Sequence, residues 1–243
     1  MPEKTILVLL TVFLLIAGVS CRQQHPETGI ISGRFTDGAG SRLILQEMDT
    51  HRFVALDSVT LDSEGRFSFT TPLKEAGFRV LKAPDGKIMV LLQHPGDHLE
   101  LEGAFRDFPD HVTLKGPADA MLLEQFFRFT RVHERMVDSL ELVLIENQDD
   151  PDYVKLTRVV DSAFRNIFER QREYEASFID RYPGSLASLV VLNYAFGMSP
   201  VLGPEDDLVY YLKVDSALSK AYPGNRHVEF HHERLMRFLP KKP

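Results

Sequence analysis

From residue 29 onward apolar and polar residues alternate with period two, and from residue 117 the repeat becomes helical. Phe67 and Phe69 are flanked by Arg66, Ser68 and Thr70, and Leu99 and Leu101 by His98, Glu100 and Glu102. Successive side chains of a strand point to opposite faces, so this is the pattern of half-buried strands. It predicts strands over 29–35, 41–47, 53–61, 65–71, 77–83, 87–93, 98–103 and 111–115. Asp62-Ser63-Glu64-Gly65, Pro84-Asp85-Gly86 and Pro95-Gly96-Asp97 separate them, with Pro or Gly where a tight reversal needs a fixed or positive φ. Short strands about every ten residues with tight turns predict an antiparallel β-sandwich or open barrel.

After Gly116-Pro117 the residues Leu122, Leu123, Phe126, Phe127, Phe129, Val132, Met136, Val137, Leu140 and Leu144 keep one broad helix face apolar. Asp150-Pro151 supplies an N-cap acceptor and a first-position proline for a second helix, which Val154, Leu156, Val160, Phe164, Ile167 and Phe168 carry toward Arg181. Tyr182-Pro183-Gly184 breaks it, and Ser185 starts a third helix to about Phe196. Pro204 with Glu205, Asp206 and Asp207 starts a fourth, with acids at its positive end. Tyr222-Pro223-Gly224 stops that one, and Asn225 caps a last helix to about Phe238. Strands come first and helices afterwards, without βαβ alternation, so the class is α+β, an N-terminal sandwich or open barrel followed by a helical bundle.

The first twenty residues differ from both halves. Met1 to Lys4 is polar, Ile6 to Ala17 is apolar apart from Thr11, and Gly18, Val19 and Ser20 precede Cys21. That is the order of a secretory leader, and it is shorter than the roughly 20 residues of a spanning helix. A leader ending directly in cysteine resembles the lipobox of bacterial lipoproteins, with Gly18 where leucine is commonest. The resemblance implies acylation of Cys21 and cleavage before it. Several acyl chains give stable anchoring, since each buried methylene contributes about 0.8 kcal/mol. Residues 1–20 then form the signal, 21–28 a lipidated tether, 29–116 the β-domain and 117–243 the helical domain.

Within the β-domain, Ile31-Ser32-Gly33-Arg34-Phe35, Leu43-Ile44-Leu45 and the run from Leu56-Asp57-Ser58 through Gly65-Arg66-Phe67-Ser68-Phe69 resemble a known module. It is the β-rich domain of unknown function N-terminal to the thioredoxin-like domain of thiol-disulfide oxidoreductase lipoproteins of some Gram-negative bacteria. Val112-Thr113-Leu114-Lys115-Gly116 fits as well, and the helical part, with Arg181-Tyr182-Pro183-Gly184-Ser185, is similar to the spacer of those proteins. In them a thioredoxin fold with a CxxC pair follows, where this sequence stops at Pro243. The expectation is the accessory half without the redox domain. Cys21 is the chain's one cysteine, and thiol exchange needs a free thiolate. No catalytic residue is therefore carried over.

Other chemistry is sparse. His227 and His231 stand four apart on the last predicted helix, with Glu229 and His232 near, a spacing at which two imidazoles can share a cation. Glu229 is adjacent to neither, unlike the zinc-peptidase motifs, and a solvated polar face opposite Val228, Leu235 and Phe238 is the preferred reading. Asp149, Asp150 and Asp152 lack EF-hand spacing and read, like Glu205, Asp206 and Asp207, as acids at a helix start. Phe126, Phe127 and Phe129 read as core. No phosphate-binding loop or G-x-S-x-G occurs, so catalytic, cofactor and metal residues are all set at none.

The net charge of -7 over 243 residues is evenly spread, with 11 bases and 14 acids in residues 21–116 and 16 and 20 in residues 117–243. Neither half offers the basic stripe that nucleic acid requires. The expectation is a non-catalytic lipoprotein at the periplasmic face of the outer membrane, contacting the membrane through its lipid and binding a periplasmic partner. Two alternatives are an auxiliary acting in trans on a thiol-disulfide oxidoreductase, and a carboxylate hydrolase assembled at the β-to-α junction.

Overall fold

The computed structural model describes residues 28–239. The fold is α+β, two four-stranded sheets followed by helices. The strands are β1 Thr28–Thr36, β2 Arg42–Met48, β3 Phe53–Thr60, β4 Arg66–Pro72, β5 Gly77–Lys82, β6 Ile88–Gln93, β7 His98–Ala104 and β8 Thr113–Lys115. Each lies within a residue or two of its predicted span, because alternation and turn residues are both local signals. One sheet has the order β4-β1-β7-β8, the other β3-β2-β5-β6. One pairing departs from the antiparallel expectation: β1 and β7 run parallel, with Ile31 opposite Leu99 and Gly33 opposite Leu101. Sequence neighbours set antiparallel hairpins, whereas this pair joins residues about seventy apart and is decided by the core.

The inner faces of the two sheets make one core. Ile31, Phe35, Phe67, Phe69, Leu99 and Leu101 from the first sheet pack on Leu43, Leu45, Leu81, Met89 and Leu91 from the second. Close packing restricts what the turns tolerate. At Gly65, φ is 75°, and an added Cβ would come within 2.0 Å of the Phe35 carbonyl oxygen, so only glycine closes the turn between β3 and β4.

The second sheet is apolar on its outer face too. Phe78 and Leu92, with Met48 and Val90 at the margin, meet the helices in a second core with Leu123, Phe126, Phe178, Leu186, Val191, Tyr211 and Leu235. The helices are α1 Ala118–Glu146, α2 Tyr153–Arg181, α3 Ala187–Leu192, α4 Leu208–Ala221 and α5 Arg226–Phe238. The long antiparallel pair α1 and α2 spans about 43 Å at 1.5 Å per residue. No helix among the described residues is long and apolar enough to cross a membrane.

Three helix expectations need correction. Instead of running to Phe196, α3 ends at Leu192; the Asn193 side chain caps it by donating to the Leu189 carbonyl (2.7 Å), and Ala195–Phe196 (β9) and Ser199–Pro200 (β10) form a small hairpin turning at Gly197, φ 58°. A glycine at positive φ is a turn signal that the apolar run hid. Asp150 and Pro151 do not open α2 directly. They form a turn in which Asp150 Oδ1 accepts from the Asp152 amide (2.7 Å), and the helix begins at Tyr153. The fourth helix opens at Leu208, past Pro204, and Asp207 at its N-cap position is buried and pairs with Arg172 through both oxygens, at 2.8 and 2.5 Å.

Asn225 caps α5 as its position predicts. Its Oδ1 accepts from the His227 and Val228 amides (3.0 and 3.4 Å), and its Nδ2 donates to the Ala76 carbonyl between β4 and β5 (2.7 Å). The cap thereby ties α5 to the second sheet. Deeper in the bundle, His133 Nδ1 donates to Gln171 Oε1 (2.8 Å), and Gln171 Nε2 donates to Thr130 (3.0 Å) and to Glu175 Oε1 (2.9 Å). Glu175 Oε2 has no partner among the described residues, and burial pushes the pKa of this carboxyl up to about 9.

Asn225→Ala removes a cap, worth about 1 kcal/mol, and strands a buried carbonyl, worth about 1–3 kcal/mol. Denaturant unfolding is expected to show a loss of about 2–4 kcal/mol. For Glu175 the folded pKa lies above the unfolded one, so folding stability falls as pH rises from 4.5 toward about 9. Glu175→Gln keeps the shape without that titration. It is expected to gain on the parent protein as pH rises from 5 to 8.5, and a constant difference across that range would refute the assignment.

Candidate functional site

Three places bring together groups able to bind or react. The first joins four elements. His94, after β6, hydrogen-bonds through Nε2 to Asp119 Oδ2 in the first turn of α1 (2.8 Å), and Ser185, before α3, donates to Asp119 Oδ1. Tyr222 at the end of α4 lies 5.8 Å from the His94 ring. Its phenol is pushed up to about 12, by burial first and then by Asp119. A nucleophilic triad needs the imidazole between hydroxyl and carboxylate. Here the carboxylate is in the middle, Ser185 gives its proton to Asp119, and its oxygen accepts from the Ala187 amide (3.1 Å). The arrangement is a clasp between the β-domain and the helices. The hydrogen bond that His94 donates to Asp119 raises the His94 pKa above its ordinary value, outweighing the opposing effect of burial.

The second place is a cleft of about 480 Å³ beside the small hairpin. Glu134, Asp138 and Glu141 line one wall from a single face of α1, and Phe164, Tyr194 and Phe196 line the other. The Tyr194 hydroxyl donates to Glu134 (2.8 Å). Burial, followed by that carboxylate, raises the phenol far above its ordinary range. A glycoside hydrolase places its two carboxyls on opposite sides of the scissile bond. All three acids here stand on one wall.

The third place is a groove that starts on the seam between the outer face of the second sheet and the helices and continues into the helical half. One lobe, about 290 Å³, is walled by Met48, Phe78, Val90, Leu189, Val190 and Phe230. The other, about 240 Å³, lies among Leu192, Pro200, Pro204, Tyr211, Leu235 and Phe238. Asn193, His231 and Arg234 border both lobes. His227 and His231 are buried, and burial lowers both imidazoles below their ordinary pKa. His227 turns its ring edge to Phe78 (5.0 Å), whereas His231 stacks on Tyr211 (6.2 Å). Apolar walls with a few convergent polar groups at a domain seam are the usual make-up of a ligand pocket.

This corrects the expectation of a solvated histidine face. His227 and His231 share the buried side of α5 with Val228 and Leu235, and it is Phe238 that is exposed. His232 is the outward one, bonded to Asp215 (2.9 Å). Among the described residues no three His, Cys, Asp or Glu side chains are grouped as a metal site. Phe126 is core, and Phe129 stacks on Tyr174 with centroids 3.8 Å apart. Cys21 lies outside the described residues. The seam groove escaped sequence reading because its walls come from residues 48 to 238, with no spacing to mark them. No model of a known protein family matches the chain, and no curated protein is similar to it.

The clasp and the groove have opposite pH signatures. His94 contributes stability that is complete below its ordinary value of 6.5 and is lost as pH rises through the raised folded value. His227 and His231 contribute stability that is complete above 6.5 and is lost as pH falls through their lowered values. His94→Gln is therefore expected to make the decline in unfolding free energy between pH 6.5 and 8 shallower, leaving the share of Glu175 and the acid-side decline in place. A decline of unchanged slope above pH 6.5 would show that the clasp does not depend on the imidazolium.

Proposed function

We propose that the protein is a non-catalytic binding module of a bacterial cell envelope, anchored through lipid on Cys21 at the periplasmic face of the outer membrane. It resembles the accessory half of thioredoxin-like lipoproteins and takes a ligand or partner in the groove on its domain seam. The observation that carries the reading is the groove itself: two apolar lobes, one on the domain seam and one within the helical half, both bordered by Asn193, His231 and Arg234. Two further features favour binding over hydrolysis. The Ser185–Asp119–His94 contact has its carboxylate in the middle, and the acidic cleft has its carboxylates on one wall.

The anchor is tested by mass spectrometry of the protein from membranes. The expected N-terminus is residue 21, carrying acyl chains, and Cys21→Ser is expected to release the protein from the membrane fraction. An unmodified residue 21 or a retained leader would overturn the anchored reading.

A further inference from the structure

The groove carries an uncompensated positive charge. Arg234 is exposed, borders both lobes, and forms no ion pair among the described residues; its guanidinium lies 5.8 Å from the centroid of the Phe230 ring. The one acid in the walls, Asp49, is already engaged: its Oδ1 accepts from the Thr50 amide (2.8 Å) and faces Arg226 at 3.9 Å. The imidazole of His227 is nine-tenths buried and makes no hydrogen bond with another described residue. Its Nε2 lies over Gly77, where an added Cβ would approach it to 3.3 Å. A neutral imidazole keeps one N–H to donate. The lobes, at about 290 and 240 Å³, are at the small end for ligand pockets, which favours a short aliphatic body over a bulky one.

We propose that the groove binds a medium-chain aliphatic carboxylate, its chain in the apolar lobes and its head on Arg234. The inference rests on the binding reading above and gives it a ligand class. The guanidinium offers the carboxylate two parallel N–H donors, the geometry for which arginine is best suited. A cationic amphiphile would meet Arg234 with like charge, and an uncharged chain would leave it unanswered.

The test uses the full chain in membranes, with an octanoate bearing a photoreactive diazirine and the matching octylamine, and adducts mapped by peptide mass spectrometry. The carboxylate is expected to label lobe residues such as Val190, Phe230 and Leu235, with competition by unlabelled octanoate, and the amine is expected not to. Loss of a charge-assisted pair is worth about tenfold or more, so Arg234→Gln is expected to cut groove labelling at least that much. Arg234→Lys is expected to stay within a few-fold, and Val190→Phe, which fills a lobe from a half-exposed position, to abolish labelling with the circular dichroism spectrum unchanged. Equal labelling by the amine, labelling unmoved in Arg234→Gln, or adducts scattered outside the groove would each overturn the proposal. The same digest reports on Cys21. Acylated Cys21 without groove adducts removes the ligand and leaves the anchored reading, while groove adducts with unmodified Cys21 do the reverse.

Discussion

A sheet that is apolar on both faces has to be covered twice, and the β3-β2-β5-β6 sheet imposes that demand here. Along β5, Gly77 to Leu81 is buried without a break, where a half-exposed strand would alternate. Leu81 and its neighbours look into the sandwich, while Phe78 looks out at the helices. Removing the helices would open the second core to water, at about 25 cal/mol for every Å² of apolar surface exposed. The helical half is therefore the second layer of the fold, and the β-domain is not complete without it.

The same demand explains where charge had to be buried. Arg79 is on β5, almost fully buried, and a guanidinium in such a place destabilises unless it is answered. Glu47, its partner across the β2–β5 ladder, meets it at 2.9 Å, and Arg79 Nη2 donates to the Pro72 carbonyl (3.2 Å). Arg226, at the start of α5, reaches the same Glu47 oxygen at 3.3 Å and pairs with Glu75 at 2.5 Å. The Asn225 cap adds its bond to Ala76 nearby. The start of α5 is thus pinned to the sheet at several points, while the His94–Asp119–Ser185 clasp, after the neighbouring strand β6, holds α1 and α3.

Much of the fold was legible because its signals are local. Alternation of Phe67 and Phe69 with polar neighbours fixes a strand wherever it sits, and Gly65, Gly86 and Gly96 all take the positive φ their turns required. The features that stayed hidden depend on partners distant in sequence. Nothing near Ile31 reveals that Leu99 will lie beside it in parallel. Nothing near Asp207 reveals Arg172. Ala195 and Phe196 continue an apolar run that reads as helix, and only the Asn193 bond to Leu189 and the turn at Gly197 show that the helix has already ended. The histidines of α5 illustrate the limit for the site: helical spacing put His227 and His231 on one face correctly, but whether that face meets water or the sheet is decided by residues of β2, β5 and β6.

The polar groups of the bundle interior and those of the seam are treated differently. In the bundle interior His133 has Gln171, and Gln171 has Thr130 and Glu175. An interior polar group without partners costs roughly 1–3 kcal/mol, and that network satisfies most of its members internally. At the seam, among the described residues, the His227 ring has aromatic and backbone neighbours but no hydrogen bond, and the exposed Arg234 has an aromatic face but no anion. If the seam served only to join two domains, an apolar side chain in place of His227 would remove the cost of burying its imidazole. A buried imidazole and an exposed guanidinium beside two apolar hollows are the features on which the proposed binding role rests, since a ligand pocket combines apolar walls with a few polar groups.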